Sequence, residues 1–529
     1  MTQYALLSVS DKTGLIEIAQ TLHNKGIKLL STGGTYKAIE QAGIEVQAVE
    51  DYTGFSEMMD GRVKTLHPKI HGGLLGLRDN AEHLKSMKYH GIAQINYVIV
   101  NLYPFKETIS KDNVTLDDAI ENIDIGGPSM LRSAAKNYQS VTVVTDPADY
   151  SSLITQLEDK GETTLEFRQY LATKVYQLTS HYDTLIADYL GQFNSQSKSF
   201  ETHNWSHKTM TFVEEQPLRY GENSHQSASF YKELNASASS IAQAVQLNGK
   251  ELSYNNIKDA DAAIKIAKEF KEPVAVAVKH MNPCGVAIAD TIELAFERCQ
   301  LADPVSIYGG IVVVNREVSL ELANHLSKIF LEIIIAPSFS EEALAKLSKK
   351  SQLRLLTIDF DDDNNNQEEF VSVSGGLLVQ SIDQSTELDV EDDLSIPESW
   401  ELSTQRQPTS DEIKAMSFGM KVVKHVKSNA IVVNNDYMTL GIGAGQMNRV
   451  GSLDIALKQA EEKPSELRQT FVMASDAFLP MADTAELANK GGITAIAQPG
   501  GSKYDVDSIE VCNRNDMAMV MTGYRHFRH

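Results

Sequence analysis

The chain has 529 residues, with 48 basic against 71 acidic side chains and a formal net charge of -23. This length is too great for one typical hydrophobic core, so at least two domains are expected. The negative charge argues against nonspecific binding to nucleic acid or to an anionic membrane, and any anionic ligand needs a local cluster of cations.

Three cysteines, Cys284, Cys299 and Cys512, lie far apart and form no C-x-x-C pair. This pattern favours a reducing compartment over a disulfide-built secreted fold, and it lacks a zinc-binding spacing. There is no basic start followed by an apolar segment, and no apolar run reaches the roughly 18 residues of a membrane-spanning helix. We therefore expect a cytoplasmic protein.

Short apolar runs alternate with helical patterns over residues 1 to about 190. The predicted strands are residues 4–9, 27–30, 46–49, 97–100 and 141–144. This alternation predicts a doubly wound parallel sheet, with helices on both faces. Ligands of such sheets bind beyond the carboxyl ends of the strands.

Polar segments follow three of these predicted strands. They carry Ser10 and Lys12, the run Thr32, Gly33, Gly34 and Thr35, and the pair Asn101 and Tyr103. Glycine-rich turns that open a helix present backbone N–H groups to an anion, so the first two segments suit a phosphate. One Gly-Gly turn alone is weak evidence, whereas several such loops at one edge are better evidence.

Residues 61–73 concentrate cations and histidines, among them Arg62 and Lys64. A solvated charge run is the usual explanation, but glycine and proline bracket this one and it lacks a helical stripe. Residues 124–129 then lead into a predicted helix that carries Lys136. If the fold brings them together, Lys64, Tyr103, Asp124 and Lys136 form an acid-base set.

A polar stretch poor in apolar residues separates two α/β regions. We predict a first domain at residues 1–195, a linker at 196–207 and a second domain at 208–529. Strand-like runs recur at residues 274–278, 311–314, 333–335, 353–358, 430–433, 471–473 and 494–497, which predicts two subdomains. Residues 441–446 are predicted as a glycine-rich turn, and residues 361–366, all Asp and Asn, as an exposed loop.

The second domain contains the pair Lys279 and His280 directly after a predicted buried strand, followed by a turn predicted at residues 282–285. A strand-end histidine is more often bonded to a backbone carbonyl than catalytic. However, a histidine can take a proton near neutral pH, which suits a general base. Arg219 beside Tyr220 offers phosphate pairing together with ring stacking.

Five segments in this order, residues 61–68, 101–105, 124–127, 219–226 and 279–285, are highly specific as a set. With them the chain, from Ser10 to residues 525–527, resembles the bifunctional purine-biosynthesis family that joins AICAR transformylase to IMP cyclohydrolase. The resemblance implies an α/β fold with a methylglyoxal-synthase-like first domain and a second domain of two cytidine-deaminase-like subdomains. It also implies a homodimer, the substrates AICAR and FAICAR, 10-formyltetrahydrofolate as co-substrate, and no metal, nucleic-acid or membrane partner.

The resemblance also implies site residues. The cyclohydrolase site would bind its nucleotide with Ser10, Lys12, Thr32, Gly33, Gly34, Thr35, Arg62, Lys64, Thr65, Asn101 and Gly126. Lys136 would donate or accept a proton there, supported by Tyr103, Asp124 and Lys64. The transformylase site would bind AICAR and folate with Arg219, Tyr220, His225, Asn248, Gly309, Glu332, Asn429, Arg449, Phe478, Asp483, Ser502 and Arg525. Lys279 and His280 match the catalytic pair.

Two positions depart from the family pattern, namely Ser224, where proline is more common, and Glu332, where some relatives carry aspartate. Two other classes of function compete. A zinc hydrolase needs a P-C-x-x-C ligand pair, and Ala287 stands where the second cysteine belongs. A noncatalytic nucleotide-binding protein could lose its proton-transfer groups, yet Lys136, Lys279 and His280 are present.

Overall fold

A computed structural model of the chain describes residues 3–59, 61–111, 113–194, 199–200, 206–233, 236–361, 368–384 and 395–529. The chain divides into two units, Met1–Thr211 and Phe212–His529, called unit 1 and unit 2 below. Much of the predicted linker (residues 196–198 and 201–205) and of the acidic loop (residues 362–366) lies outside the described residues.

Unit 1 alternates strands and helices along most of its length. Its elements are β1 (Gln3–Ser8), α1 (Leu15–Asn24), β2 (Lys28–Ser31), α2 (Gly33–Gln41), β3 (Val46–Ala48), α3 (Val49–Thr53), α4 (Pro68–Leu75), α5 (Ala81–Tyr89), β4 (Gln94–Val100), α6 (Phe105–Ile109), α7 (Leu116–Glu121), α8 (Gly126–Lys136), β5 (Thr142–Val144), α9 (Tyr150–Lys160), α10 (Leu165–Gln192), β6 (Phe193–Asn194) and β7 (Ser199–Phe200).

The main sheet of unit 1 has the order β3-β2-β1-β4-β5, and all of its neighbours are parallel. Its strands are apolar on both faces because helices cover both sides. Leu7 of β1 packs in a cluster with α1 and α9, whereas Leu6 packs in a second cluster with α4 and α8. The predicted doubly wound parallel sheet and each of its five strands are confirmed.

Unit 2 contains more strands than its apolar runs predict. Its elements are β8 (Val213–Leu218), β9 (Ala228–Lys232), β10 (Val245–Asn248), α11 (Tyr254–Ala267), β11 (Val274–Lys279), β12 (Asn282–Ile288), α12 (Ile292–Ala302), β13 (Ile311–Val314), α13 (Leu320–Leu326), β14 (Ile333–Ala336), α14 (Glu341–Leu347), β15 (Arg354–Thr357), β16 (Glu368–Val373), β17 (Gly376–Ser381), β18 (Glu401–Leu402), α15 (Ser410–Val423), β19 (Ile431–Asn434), β20 (Thr439–Gly443), α16 (Arg449–Glu461), β21 (Val472–Ser475), α17 (Asp483–Lys490), β22 (Ala495–Gln498), α18 (Asp505–Arg514) and β23 (Ala518–Met521).

Two six-stranded sheets of the described chain share one topology. The first has the order β10-β15-β14-β13-β11-β12 and the second the order β18-β23-β22-β21-β19-β20. Strand directions also agree: each sheet has three parallel strands followed by an antiparallel hairpin. The hairpins meet where Ala287 bridges to Met438. The two sheets therefore repeat one arrangement, and the parts of unit 2 built around them are called its first and second subdomains below.

The glycines at residues 441–446 do not all form a turn, so that prediction is wrong in part. Gly441 and Gly443 lie inside β20, and a Cβ on either would collide with the backbone of α16 at Ala456 or Ser452. Glycine is needed here because the helix backbone approaches the strand closely.

The turn predicted at residues 282–285 is also wrong. Asn282 opens β12, and the chain reverses one step earlier, at His280 and Met281. β12 is a sheet edge, where a proline such as Pro283 is tolerated because one side of the strand has no neighbour in the sheet.

Candidate active sites

The carboxyl ends of three strands of unit 1 lie side by side. Leu7 pairs with Ser31, and Ser8 pairs with Val100, so the segments after β1, β2 and β4 leave the same edge of the sheet. The predicted polar loops are these segments. Parallel register, rather than nearness in sequence, brings them together.

Asn101 fastens the loop after β1 to the loop after β4. Its Oδ1 accepts from the backbone N–H groups of Ser10 (2.6 Å) and Asp11 (3.1 Å), and from the Ser10 hydroxyl (2.9 Å). The Ser10 hydroxyl also lies 2.7 Å from the carbonyl oxygen of Leu102. Asn101 thereby fixes the loop that carries Lys12.

The start of α2 lies beside Lys12. A Cβ on Gly34 would stand 3.8 Å from the Lys12 Nζ, so the ammonium group lies over the first turn of the helix. Thr35 is buried and exchanges hydrogen bonds with the backbone of Val9 (2.9 and 3.0 Å). A free helix start next to a cation is an anion-binding arrangement, and it fits the predicted phosphate contact.

The start of α8 is built around Asp124. The Gly127 N–H donates to Asp124 Oδ1 (2.8 Å), and the N–H groups of Tyr103 and Gly126 also donate to this carboxylate. Burial raises the pKa of Asp124, although these three donors oppose the rise. A Cβ on Gly126 would stand 3.0 Å from the Thr65 hydroxyl. Asp124, Tyr103, Gly126 and Thr65 therefore form one group.

The predicted cations of this site already have acidic partners. Arg62 forms an ion pair with Glu121 at the end of α7, and Lys64 forms one with Glu57 (2.9 Å). More than half of the side-chain surface of Arg62, Glu121 and Glu57 is exposed, and about one-third of that of Lys64. Such pairs are weak, so both cations can exchange a carboxylate for a phosphate.

Lys136 does not join this group. It is the last residue of the eleven-residue helix α8 and is exposed, whereas Asp124 and Gly126 lie at the start of that helix. A helix rises 1.5 Å per residue, so the two ends are about 15 Å apart. Within one chain, the structure brings Tyr103 and Asp124 together and leaves Lys136 at the other end.

In unit 2, strand register aligns Lys279 with the loops before β13 and β14. Val278 pairs with Ile311, which pairs with Ile333, so Lys279 and Glu332 lie one step beyond this row at the same edge. The Lys279 Nζ donates to the carbonyl oxygen of Tyr308 (2.7 Å) and lies beside Gly309, whose φ of +69° suits glycine.

Two other predicted residues at this edge make internal contacts. Glu332 Oε2 pairs with the buried Arg354 Nη1 (2.9 Å), and Arg354 also donates to the carbonyl oxygen of Glu251 (3.1 Å). The Asn248 Nδ2 donates to the carbonyl oxygen of Leu353 (2.7 Å). Asn248 and Glu332 therefore stabilise the edge on which Lys279 and Gly309 lie.

Asn282 connects the catalytic candidates to the second subdomain. Its Nδ2 donates to the His280 carbonyl oxygen (3.1 Å), and its Oδ1 accepts from the Lys427 N–H (3.0 Å). Lys427 begins the loop that carries Asn429. The His280 carbonyl and the loop that carries Asn429, which lie far apart along the chain, are thus joined through the Asn282 side chain.

Arg449 lies in a buried network beneath Asn429. Its Nη2 donates to Asn429 Oδ1 (2.9 Å), and its Nη1 donates to Ser475 Oγ (2.9 Å) and to Asp476. Arg449 is 5% exposed and Asp476 is fully buried. The residue predicted to bind AICAR is therefore paired internally, and in this structure it fixes the position of Asn429.

The remaining predicted residues occupy more exposed positions. The guanidinium of Arg219 stands 6.0 Å from the Tyr220 ring centre, and that of Arg525 stands 4.4 Å from the Phe527 ring centre. Phe478 is 37% exposed, and His225 is exposed in a loop closed by the Gly221 N–H donating to the Gln226 carbonyl oxygen (2.7 Å).

Asp483 and Ser502 lie at helix starts. The Asp483 carboxylate accepts from the Thr484 N–H (2.7 Å), and the Ser502 hydroxyl accepts from the Tyr504 N–H (3.1 Å). Both side chains therefore also have local structural contacts.

Sequence reasoning missed Asp259, whose carboxylate accepts from the Met281 N–H (2.8 Å) and from the His280 N–H. It also missed the ion pair between Lys258 Nζ and Glu222 Oε1 (3.2 Å), which connects α11 to the loop of Arg219. The adjacent charges of Lys258 and Asp259 were the available signal, but such residues usually face solvent.

Cys284 bears on the zinc-hydrolase alternative. Burial, with the nearby Asp303 charge, raises the pKa of the Cys284 thiol to about 12, and its Sγ donates to the carbonyl oxygen of Ala277 (3.4 Å). Among the described residues no three His, Cys, Asp or Glu side chains are grouped as a metal site would require.

A search of the described helices finds none long and apolar enough to cross a membrane.

Comparison with known proteins identifies the family. The family described as "AICARFT/IMPCHase bienzyme" matches residues 134–459, which is more than half of the chain, and the "MGS-like domain" family matches residues 14–129. The chain belongs to the AICARFT/IMPCHase bienzyme family. The resemblance seen in the sequence and the methylglyoxal-synthase-like fold of the first domain are thereby confirmed.

Similar full-length proteins carry the name "Bifunctional purine biosynthesis protein PurH". One from Listeria monocytogenes serotype 4b (strain CLIP80459) is 57% identical, with 99% of each chain covered. Those from Bacillus cereus (strain AH187) and Oceanobacillus iheyensis are 55% and 54% identical, with all of both chains covered. The chain is a bifunctional enzyme of purine biosynthesis with AICAR transformylase and IMP cyclohydrolase activities, as the sequence predicted, and formyl transfer in this family uses a formyl-folate.

Proposed function

We propose that unit 2 transfers the formyl group of 10-formyltetrahydrofolate to AICAR with His280 and Lys279, and that unit 1 closes FAICAR to IMP around Asp124 and Tyr103. The observation that carries the first half is the series of contacts from His280 through Asn282 to Lys427. It supports one site built from both subdomains.

The AICAR amine is a weak nucleophile and must lose a proton as its nitrogen attacks the formyl carbon. His280 is exposed at the tip of the hairpin and is suited to accept that proton. As the new C–N bond forms, the bond to the folate nitrogen breaks and that nitrogen takes up a proton. The Lys279 ammonium, bonded to the Tyr308 carbonyl at the same edge, stabilises the negative charge that develops on the formyl oxygen.

Arg219, Tyr220, Gly309, Asn429, Phe478 and Arg525 are the proposed AICAR contacts, and Asp483 and Ser502 lie near the proposed folate position. Arg449, Glu332 and Asn248 are proposed to act by fixing these contacts, because their own polar atoms bond to the protein. Loss of a fixed geometry of this kind can cost as much as loss of a reacting group.

Ring closure joins the carboxamide nitrogen and the formyl carbon of one molecule, with loss of water. Holding the two ends together supplies much of the acceleration. The starts of α2 and α8, with Lys12, Ser10 and Thr65, support phosphate and nucleotide binding at the carboxyl edge of the sheet. Asp124, whose pKa is raised by burial, and the exposed Tyr103 are suited to move protons there.

We also propose that Lys136 takes part in closure, that the enzyme is a homodimer and that it works in the cytoplasm. The first two proposals are connected. Because Lys136 lies at the far end of its helix from Asp124, its ammonium would reach a substrate more readily if a second copy supplied the site.

One assay tests both halves. Purified enzyme is mixed with AICAR and 10-formyltetrahydrofolate, and tetrahydrofolate, FAICAR and IMP are followed together. Tetrahydrofolate and IMP are both expected. Tetrahydrofolate with FAICAR alone would contradict the proposal for unit 1. If neither forms with folded protein, the two activities assigned here fail and a noncatalytic nucleotide-binding role takes their place.

A further inference from the structure

The tip of the β11–β12 hairpin has an unusual backbone for its residues. Lys279 pairs with Asn282, so His280 and Met281 form a two-residue connection, with φ values of +52° and +63°. Two positive φ values define the type I′ turn, which Asn-Gly normally occupies. Histidine and methionine resist this conformation because their Cβ atoms crowd the backbone. The turn that presents His280 therefore needs outside support.

Asp259 supplies that support from α11. Its Oδ1 accepts from the Met281 N–H (2.8 Å), and its carboxylate also accepts from the His280 N–H. Both central N–H groups of the turn thus bond to one side chain. On the other side, the Asn282 Nδ2 holds the His280 carbonyl oxygen.

The position of Asp259 is itself fixed by packing. The next residue, Ala260, is fully buried, and with Ala263 and Ala267 of α11 it packs against Val276 and Val278 of β11. The helix and the strand that carries His280 therefore share one core. Burial raises the pKa of Asp259, and the N–H donors of the turn oppose that rise. A half-buried carboxylate with two aligned donors is a strong acceptor for them.

We propose that Asp259 is a positioning residue of formyl transfer, which holds the His280–Met281 turn in its left-handed conformation and so aims the imidazole at the substrate amine. The inference rests on the proposed role of His280. Asp259 bonds to the backbone N–H groups of the turn and not to a reacting atom. Its proposed contribution is therefore to the catalytic geometry.

The test compares Asp259→Ala with Asp259→Asn. Alanine removes the acceptor, so kcat for formyl transfer is expected to fall roughly 100-fold, the scale of a misplaced catalytic group, with KM for AICAR nearly unchanged. Asparagine keeps one oxygen acceptor, such as Oδ1 for the Met281 N–H, and is expected to lose much less of kcat than alanine does. Asp261→Ala, in the same helix and facing Lys265 (2.8 Å), is the matched control and should behave as wild type. Closure of supplied FAICAR serves as the internal check on folding.

A second substitution tests the reason for the effect. Glycine adopts positive φ freely, so Met281→Gly relieves part of the strain at the turn. In a Met281→Gly background, Asp259→Ala is expected to cost much less transfer activity than it does in wild type. If Asp259→Ala alone does not fold, this double variant is expected to restore both folding and transfer, and a folded double variant without transfer would overturn the proposal.

Other outcomes also decide the matter. Wild-type kcat in Asp259→Ala overturns the proposal, and so does an Asp259→Asn variant as impaired as Asp259→Ala, because charge rather than hydrogen-bond acceptance would then matter. His280→Ala is measured in parallel. If it keeps formyl transfer, the proposed function of His280 fails; if it loses transfer while Asp259→Ala does not, only the positioning role fails.

Discussion

The candidate sites of the two units differ in how much of each is formed by backbone groups and how much by side chains. In unit 1 the backbone supplies much of the candidate site, at the glycine-rich starts of α2 and α8, beside side chains such as Lys12 and Asp124, whose carboxylate accepts three backbone N–H groups. In unit 2 the site consists of side chains, with Lys279 and His280 at a hairpin tip and the buried Arg449 network below Asn429. The difference matches the two reactions. Ring closure within one molecule needs positioning first, whereas transfer between two molecules needs a group that takes a proton from a weak nucleophile.

The location of each site in its sheet differs as well. Unit 1 follows the rule for parallel sheets, with its loops at the carboxyl ends of the strands. In the first sheet of unit 2, Lys279 and Glu332 lie at the amino ends of β13 and β14, because β11 runs antiparallel to them. In the second sheet, Asp476 lies at the carboxyl end of β21. The two sheets share one topology, but their candidate site residues lie at opposite edges, so the loops and not the topology determine which edge carries the site.

His280→Ala is expected to separate the activities of the two units most strongly. Formyl transfer is expected to fall about 1,000-fold, within the range for a lost general base, while closure of supplied FAICAR keeps its wild-type rate. Both activities are measured on one preparation. His325→Ala is the matched control, since His325 is a surface histidine of unit 2 that lies 3.4 Å from Glu297. Equal loss of transfer and closure in His280→Ala would contradict two independent sites.

Asp124→Asn is the complementary substitution in unit 1, where it is expected to impair ring closure. The carboxamide keeps one oxygen acceptor but cannot give or take the proton, so closure is expected to slow about 100-fold while formyl transfer is unchanged. FAICAR then accumulates in the coupled assay. Asp117→Asn, in the first turn of α7, is the control. Loss of closure without accumulation of FAICAR would show that Asp124 is needed for folding rather than for chemistry.

Much of this arrangement could be predicted from sequence, for a physical reason. Runs such as residues 274–278 and 311–314 are buried on both faces, and continuous burial leaves a continuous apolar pattern. Glycines before helices marked the loops of unit 1. Edge strands left no such signal: β12 begins Asn282-Pro283-Cys284-Gly285, which has the composition of a turn.

The hairpin tip was missed because its sequence does not resemble its conformation. His280 and Met281 are not turn residues, and the bonds that hold them come from Asp259, in a helix that precedes the hairpin in the chain. Likewise, Arg449 matched a binding position, but its burial and its pairing with Asp476 depend on strands that sequence spacing could not align. The residue pattern of a single sequence predicts contacts between distant segments least well.

Lys136→Ala tests the residue at the other end of α8. We expect IMP formation to slow roughly tenfold or more and FAICAR to accumulate, as the family resemblance predicts. Since Lys136 is about 15 Å along the helix from Gly126, we expect it to act on a second copy. Mixing Lys136→Ala chains with Asp124→Asn chains, followed by subunit exchange, should then restore part of the activity. A wild-type rate of IMP formation in Lys136→Ala would remove this lysine from the mechanism.

The smallest effect on either activity is expected from Glu269, which follows α11 and binds the end of α15. Its Oε1 contacts both Lys424 Nζ (2.8 Å) and His425 Nε2 (2.8 Å). Burial alone would raise the pKa of Glu269, but the hydrogen bond from His425 and the charge of Lys424 lower it to about 2. A carboxyl whose pKa is lower when folded stabilises the fold above its unfolded value of 4.5, and this contribution is lost as the pH falls from there towards 2.

Glu269→Gln removes the carboxylate that pairs with the buried Lys424 and is expected to destabilise unit 2 by about 3 kcal/mol. Transfer at neutral pH and at a temperature well below unfolding should stay close to wild type, because no reacting group is removed. Urea unfolding between pH 7 and pH 3 measures the free energy of unfolding of both proteins. The difference in this free energy between wild type and Glu269→Gln should decrease as the pH falls below about 4.5, because the wild-type carboxyl then stabilises the fold less. If the difference in the free energy of unfolding stays constant over this range, Glu269 stabilises its contact with the end of α15 through its shape and not through its charge.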